Sequence, residues 1–144
     1  MKSSFRIPVI FTLLSILLYS CQEKRVKTEA INPEILESAF KQYKEKSIDN
    51  RRFGYQVIAP LIAKRHALFE NNVLGESVEG RPIHLLSYGK GERRVLLWSQ
   101  MHGNESTATM ALFDLFNFLE GSAEDGFESI RQAIRENLCL RFIP

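Results

Sequence analysis

The spacing of apolar residues along the chain predicts four helices and four strands. Apolar positions three and four residues apart predict amphipathic helices over residues 33–46, 55–68, 106–119 and 127–136. Short runs rich in β-forming residues predict strands over residues 72–78, 81–88, 94–101 and 138–144. This order of elements favours an α/β fold, in which helices pack beside a central sheet.

The same spacing predicts which side of each helix faces the core. The expected inward residues are Ile35, Leu36, Ala39, Phe40 and Tyr43 in the first helix, Ala108, Ala111, Leu112, Leu115, Phe116 and Leu119 in the third, and Ile130, Ala133 and Ile134 in the fourth. The unbroken apolar run 95–98 predicts a central strand covered on both faces. Glu79 and Gly80 predict a tight turn between the first two strands, because Gly supplies the positive φ that such turns need.

His102 and Glu105 flank the corner where the third predicted strand turns into the third predicted helix. In an α/β sheet, sites usually lie outside the carboxyl end of a strand. An imidazole nitrogen and a carboxylate oxygen are both good zinc ligands, and Gly103 gives the intervening backbone the freedom to let them converge. The spacing H-x-x-E is weak evidence by itself, and the alternative is that Glu105 simply caps the helix.

A second motif lies upstream, where residues 75–83 read G-E-S-V-E-G-R-P-I. Together with L-L-W-S-Q-M-H-G-N-E, it resembles the N-terminal part of the M14 family of zinc metallocarboxypeptidases, over about residues 50–144. The resemblance implies a mixed central sheet flanked by helices, with His102 and Glu105 as the first two ligands of a Zn²⁺ ion. Asn104 stands where digestive-type members often have a substrate-binding Arg, which puts that subsite in doubt and leaves the metal site intact.

A catalytic zinc normally has three protein ligands and one open position. The resemblance places the third ligand, the general base and the substrate-binding residues of the family beyond Pro144. His66 has no acidic or Cys partner at metal spacing and His84 lies on a strand ahead of the motif, so we expect neither to be a ligand. Residues 33–144 are therefore interpreted as the N-terminal part of a truncated catalytic domain, which we expect to be inactive alone and to have an incomplete sheet.

Residues 1–20 have the pattern of an export signal, with two basic residues followed by an apolar run too short to span a bilayer comfortably. The run ends L-Y-S-C at Cys21 and resembles a bacterial lipoprotein signal, in which Cys21 becomes the lipidated first residue. The alternative is an ordinary secretory signal with a chance Cys. Residues 21–32 are polar and predicted to be a tether. We expect a lipid anchor in the bacterial cell envelope, facing the periplasm or in the outer membrane.

Charge and cysteine content bear on two further functions, nucleic-acid binding and catalysis by a cysteine thiol. The formal net charge of +2 comes from the first 20 residues, because the rest of the chain has 17 basic and 17 acidic residues. This balance gives no indication of a nucleic-acid partner. Cys139 lies within a predicted strand and is expected to be a small buried residue, not a catalytic thiol.

Three functional hypotheses follow from the sequence. The first is a zinc carboxypeptidase acting on peptide substrates, present here as an N-terminal fragment. The second is a zinc-dependent deacylase of N-acyl amino acids, which shares the H-x-x-E ligands; the hairpin motif and the lipoprotein signal favour the peptidase. The third is a lipoprotein binding module or an inactive remnant.

Overall fold

The computed structural model describes residues 32–65 and 67–144, which contain four helices and four strands. In chain order they are α1 (Pro33–Tyr43), α2 (Tyr55–Ala63), β1 (Glu70–Glu76), β2 (Pro82–Tyr88), β3 (Arg93–Trp98), α3 (Ser106–Leu119), α4 (Glu128–Asn137) and β4 (Leu138–Ile143). The predicted α/β fold is confirmed. No helix in these ranges combines the length and apolar character needed to cross a membrane. The predicted signal peptide, Cys21 and His66 lie outside the described residues.

The four strands form one mixed sheet in the order β1-β2-β4-β3. Strand β2 is antiparallel to both β1 and β4, whereas β4 is parallel to β3. The turn between β1 and β2 has Gly80 at φ 69°, as its sequence predicts. Because of these directions, the beginning of β2 and the ends of β3 and β4 lie at the same edge of the sheet. That edge is called the C-terminal edge below.

The core is formed by one face of the sheet together with α2 and α3. Its buried apolar residues are Ile48, Ile58, Leu61, Ile62, Phe69, Leu86, Tyr88, Leu112, Phe113, Phe116, Leu119, Leu140 and Phe142. At its centre, the rings of Phe116 and Phe142 meet edge to face with centroids 5.0 Å apart, and Phe69 contacts both. Aromatic pairs of this kind add to the stabilisation from apolar burial. The core therefore joins α3 firmly to β4.

Strand β3 is more exposed than its sequence predicts. Val95, Leu96 and Trp98 are 39%, 51% and 49% exposed, so the expectation of a strand covered on both faces was wrong. Among the described residues the core packs against one face of the sheet, and β3 is also an edge strand that pairs on one side only, with β4.

The buried sides of α1 and α3 also differ from those predicted from the sequence. In α1 only Tyr43 is buried, and Ile35, Leu36 and Phe40 are exposed, because this helix meets the rest of the chain mainly through its C-terminal end. In α3 the buried side is rotated: Leu112, Phe116 and Leu119 face the core as predicted, with Thr109 and Phe113 buried in place of Ala108 and Ala111.

Helix α4 buries a charged residue where apolar residues were expected. Ile130 and Ala133 are exposed, and the buried residue is Arg131. Its guanidinium forms an ion pair with Asp125 at 2.8 Å and donates to Glu128 at 3.1 Å, and Asp125 also accepts a hydrogen bond from Tyr43. These four side chains, called the Arg131 cluster, connect α1, α4 and the loop before α4.

The Arg131 cluster predicts a loss of stability in acid. Hydrogen bonds from Arg131 hold the pKa of Asp125 well below its usual range, and those from Arg135 lower the pKa of Glu128. A carboxyl whose pKa is lower in the folded state stabilises that state above its unfolded pKa, near about 4. This contribution disappears as the pH falls through the folded-state pKa. We therefore expect the free energy of unfolding, measured with urea, to fall progressively below about pH 4.

The variant Asp125→Asn provides the control. It is less stable at neutral pH, because Arg131 loses its charged partner, but its stability falls less steeply in acid. Equal slopes for the two proteins below pH 4 would show that Asp125 does not contribute to the acid dependence.

Candidate metal centre

The segment between β3 and α3 carries the predicted ligands and is anchored at both ends. At its start, the main-chain N–H of Ser99 donates to the carbonyl of Ile143 at 3.0 Å, and the Ser99 hydroxyl is 2.8 Å from the hydroxyl of the fully buried Thr109. At its end, the Ser106 hydroxyl donates to the carbonyl of Arg51 at 2.7 Å. The segment is thereby held at the C-terminal edge of the sheet.

His102 and Glu105 lie against each other in this segment. The Nδ1 atom of His102 is 3.0 Å from Oε1 of Glu105, and the main-chain N–H of Glu105 donates to the carbonyl of His102 at 3.0 Å. The two side chains are 71% and 58% exposed, so solutes have access to both. Glu105 occupies the N-cap position of α3, but its side chain makes no capping hydrogen bond. The side chain of Glu105 therefore does not act as the helix cap that the sequence left as the alternative.

The two side chains fit part of a zinc site. Typical zinc distances to nitrogen and oxygen place a tetrahedral ligand pair about 3.4 Å apart. The observed separation of 3.0 Å therefore needs to open by only a few tenths of an ångström, which exposed side chains can accommodate. Within residues 32–65 and 67–144, no three His, Cys, Asp or Glu side chains come together as a potential metal site. These ranges supply two donors.

The other predicted residues lie elsewhere. His84 is on β2, where its Nδ1 atom is 2.9 Å from Oδ1 of Asn71 on the neighbouring strand. Cys139 is half-buried in β4, less covered than expected.

Gln100, two residues before His102, has a backbone conformation that the sequence did not indicate. Its φ of 56° lies in the left-handed region, which is costly for most residues with a side chain. We expect Gln100→Val to lower the free energy of unfolding by about 1–2 kcal/mol, because a β-branched residue tolerates this region poorly. Urea unfolding measures the difference.

Gln100→Gly is the matched variant for this prediction. Gly adopts positive φ without steric cost, so its stability should equal or exceed that of the unchanged protein. Equal destabilisation by Val and Gly would mean that the side chain of Gln100, and not its backbone conformation, is what matters.

A cleft of about 340 Å³ opens beside the ligand segment, at Gly103. Its walls come from α2, the β1–β2 turn, the start of β2 and Pro144. Arg81, His84 and Tyr55 all line it, and we call it the Arg81 cleft. None of these three residues is predicted at the site from the sequence. Their position depends on the strand order, because the antiparallel pairing of β2 with β4 brings the start of β2 to the C-terminal edge.

No protein-family model matches this chain, and no curated protein is detectably similar in sequence. Its fold is similar to solved structures. A metallo-carboxypeptidase from Burkholderia cenocepacia superimposes with a TM-score of 0.57 at 21% identity, covering 64% of this chain and 26% of that one. A protein from Burkholderia mallei assigned as a carboxypeptidase superimposes with a TM-score of 0.57 at 19% sequence identity. The match covers 64% of this chain and 25% of that one. The chain spans about a quarter of each and shares the fold of that part.

Proposed function

We propose that this chain supplies the first two zinc ligands, His102 and Glu105, of a metallocarboxypeptidase that hydrolyses peptides at their C-terminus. The observation that carries the proposal is the 3.0 Å contact between His102 Nδ1 and Glu105 Oε1 at the C-terminal edge of the sheet. The similarity of the fold to a metallo-carboxypeptidase from Burkholderia cenocepacia supports it. The exposure of both side chains is also what a substrate-accessible metal requires.

His102 would hold the zinc through a neutral nitrogen donor, and Glu105 through a carboxylate whose negative charge would offset part of the charge of the ion. When bound, the ion would polarise the scissile carbonyl and lower the pKa of a water molecule. The hydrogen bonds of Ser99 to Thr109 and of Ser106 to Arg51 fix the two ends of the ligand segment. The described residues supply two of the three protein ligands that a catalytic zinc normally has, so the proposed activity requires a third ligand from outside them.

We further propose that the protein is anchored in a bacterial cell envelope through lipid on Cys21, which makes envelope peptides possible substrates. The prediction is that Cys21→Ala removes the protein from the membrane fraction and abolishes incorporation of a labelled fatty acid. Cys139→Ala, at the chain's other Cys, should retain both properties. Unchanged labelling and membrane association of the Cys21 variant would exclude the anchor and leave an ordinary secretory signal.

The enzymatic proposal is tested with the protein purified from its native membranes. We expect zinc-dependent release of C-terminal residues from N-blocked peptides, inhibition by a chelator, and no release by the His102→Ala variant. Hydrolysis of N-acyl amino acids without cleavage of peptides would support the deacylase alternative. Neither activity, together with the absence of bound zinc, would indicate a non-catalytic lipoprotein.

A further inference from the structure

The Arg81 cleft has the chemistry of a binding site for an anion attached to an apolar chain. Its volume of about 340 Å³ lies in the range of small-ligand pockets. Apolar side chains of α2, including Ile58 and Ile62, form part of its wall. Among the described residues that line it, two have basic side chains, Arg81 and His84, and none has a carboxylate side chain. Arg81 therefore supplies the formal positive charge of the described lining.

Arg81 is held in place by the turn that precedes β2. Its carbonyl accepts a hydrogen bond from the N–H of Ser77 at 2.8 Å, and its own N–H donates to the Ser77 hydroxyl at 3.2 Å. Its guanidinium lies 5.8 Å from the centroid of the Tyr55 ring. It also pairs with Glu79, but both side chains are more than half exposed, and exposed pairs of this kind are weak. A ligand carboxylate can thus compete with Glu79.

His84 adds a second polar group to the same wall. Its Nδ1 atom is used by Asn71, at 2.9 Å, which fixes the orientation of the ring. Within residues 32–65 and 67–144 the other ring nitrogen, Nε2, makes no hydrogen bond, and the side chain is half-buried. Arg81 and His84 both line the cleft.

We infer that the Arg81 cleft binds an acidic side chain of a peptide, as a specificity subsite beside the proposed zinc ligands. Gly103, the residue directly after His102, forms part of the cleft, so a peptide bound there would lie next to the segment that carries the proposed ligands. The assignment of the cleft as a subsite of a peptidase rests on the proposed function. Binding of the acidic peptide itself does not depend on zinc.

The test is a titration of the isotope-labelled, zinc-free chain with two capped peptides, acetyl-Ala-Glu-Ala-amide and acetyl-Ala-Gln-Ala-amide, followed by NMR. The caps remove terminal charges, so that only the side chain differs. We expect the Glu peptide to bind about fivefold more tightly than the Gln peptide and to shift the amide signals of Arg81, His84 and Gly103. Equal affinity for both peptides, or shifts confined to other residues, would overturn the inference.

Two variants at the β1–β2 turn test the role of Arg81 directly. Arg81→Gln should abolish the preference for the Glu peptide, whereas Glu79→Gln should increase affinity for it up to about fivefold, because Arg81 loses its competing partner. Unchanged signals from β4 report that both variants are folded. An unchanged preference in Arg81→Gln would contradict the role of Arg81.

Zinc binding is measured separately, on the same samples without peptide. Loss of zinc binding together with retained preference for the Glu peptide would refute the metallopeptidase and keep the acidic site. Zinc binding without that preference would refute the acidic site alone.

Discussion

We expect His102→Ala to lower the affinity of the chain for zinc by at least about 100-fold, to the level of non-specific binding. Changing a residue that merely supports a zinc ligand typically costs 10–100-fold, and removing one of two ligands costs more. Glu105→Gln should have an effect of the same order, because the amide lacks the charge that opposes the ion. Competition with a zinc-binding dye, on protein prepared free of metal, measures the affinity.

His84→Ala is the control for the zinc prediction. This residue has the same metal-binding group but lies on β2, where it contacts Asn71. Its removal should change zinc affinity by less than about twofold. If His84→Ala weakens zinc binding as strongly as His102→Ala, the ligands are different from those proposed.

The second large effect is expected on the free energy of unfolding, when Arg131 is replaced. Arg131 has a fully buried side chain whose charge is neutralised by Asp125, itself 5% exposed, and by the partly exposed Glu128. Removing one partner of a buried ion pair leaves an uncompensated charge and typically costs 3–5 kcal/mol. We expect Arg131→Met to lower the free energy of unfolding by about that amount, measured by urea unfolding at pH 7.

Lys41→Met is the matched control for Arg131→Met. Lys41 also forms an ion pair, with Glu37, but the two side chains are 71% and 65% exposed. Exposed pairs one helical turn apart contribute only about 0.3–0.5 kcal/mol. A loss below 1 kcal/mol in Arg131→Met, close to that of the control, would mean that the Arg131 cluster is not a major source of stability.

The sequence predicted the features that neighbouring residues determine. The β1–β2 turn depends on Gly80, which adopts the positive φ that such a turn requires. The corner between β3 and α3 follows from a change of apolar spacing around His102 and Glu105. Each of these depends on fewer than about ten consecutive residues, a range over which local preferences act directly.

The remaining features depend on contacts between distant segments. Arg131 appears in the sequence as a surface charge, and only the approach of Asp125 and Tyr43 makes its burial favourable. The apolar run of β3 is typical of a central strand, but its burial depends on elements packed against both faces of the sheet. The Arg81 cleft was missed for the same reason, since it exists only where α2 meets the start of β2.

Strand β4 pairs with two partners that precede it by a long stretch of chain. Tyr88 of β2 pairs with Leu140, and Arg93 of β3 pairs with Leu138, whereas β1 and β2 are joined by a short turn. Closing the longer loops has the greater entropic cost, so the β1–β2 hairpin should form early and β4 should dock late. Until β4 docks, β2 and β3 each present unpaired backbone to other chains. Aggregation during folding should therefore compete mainly with this final step.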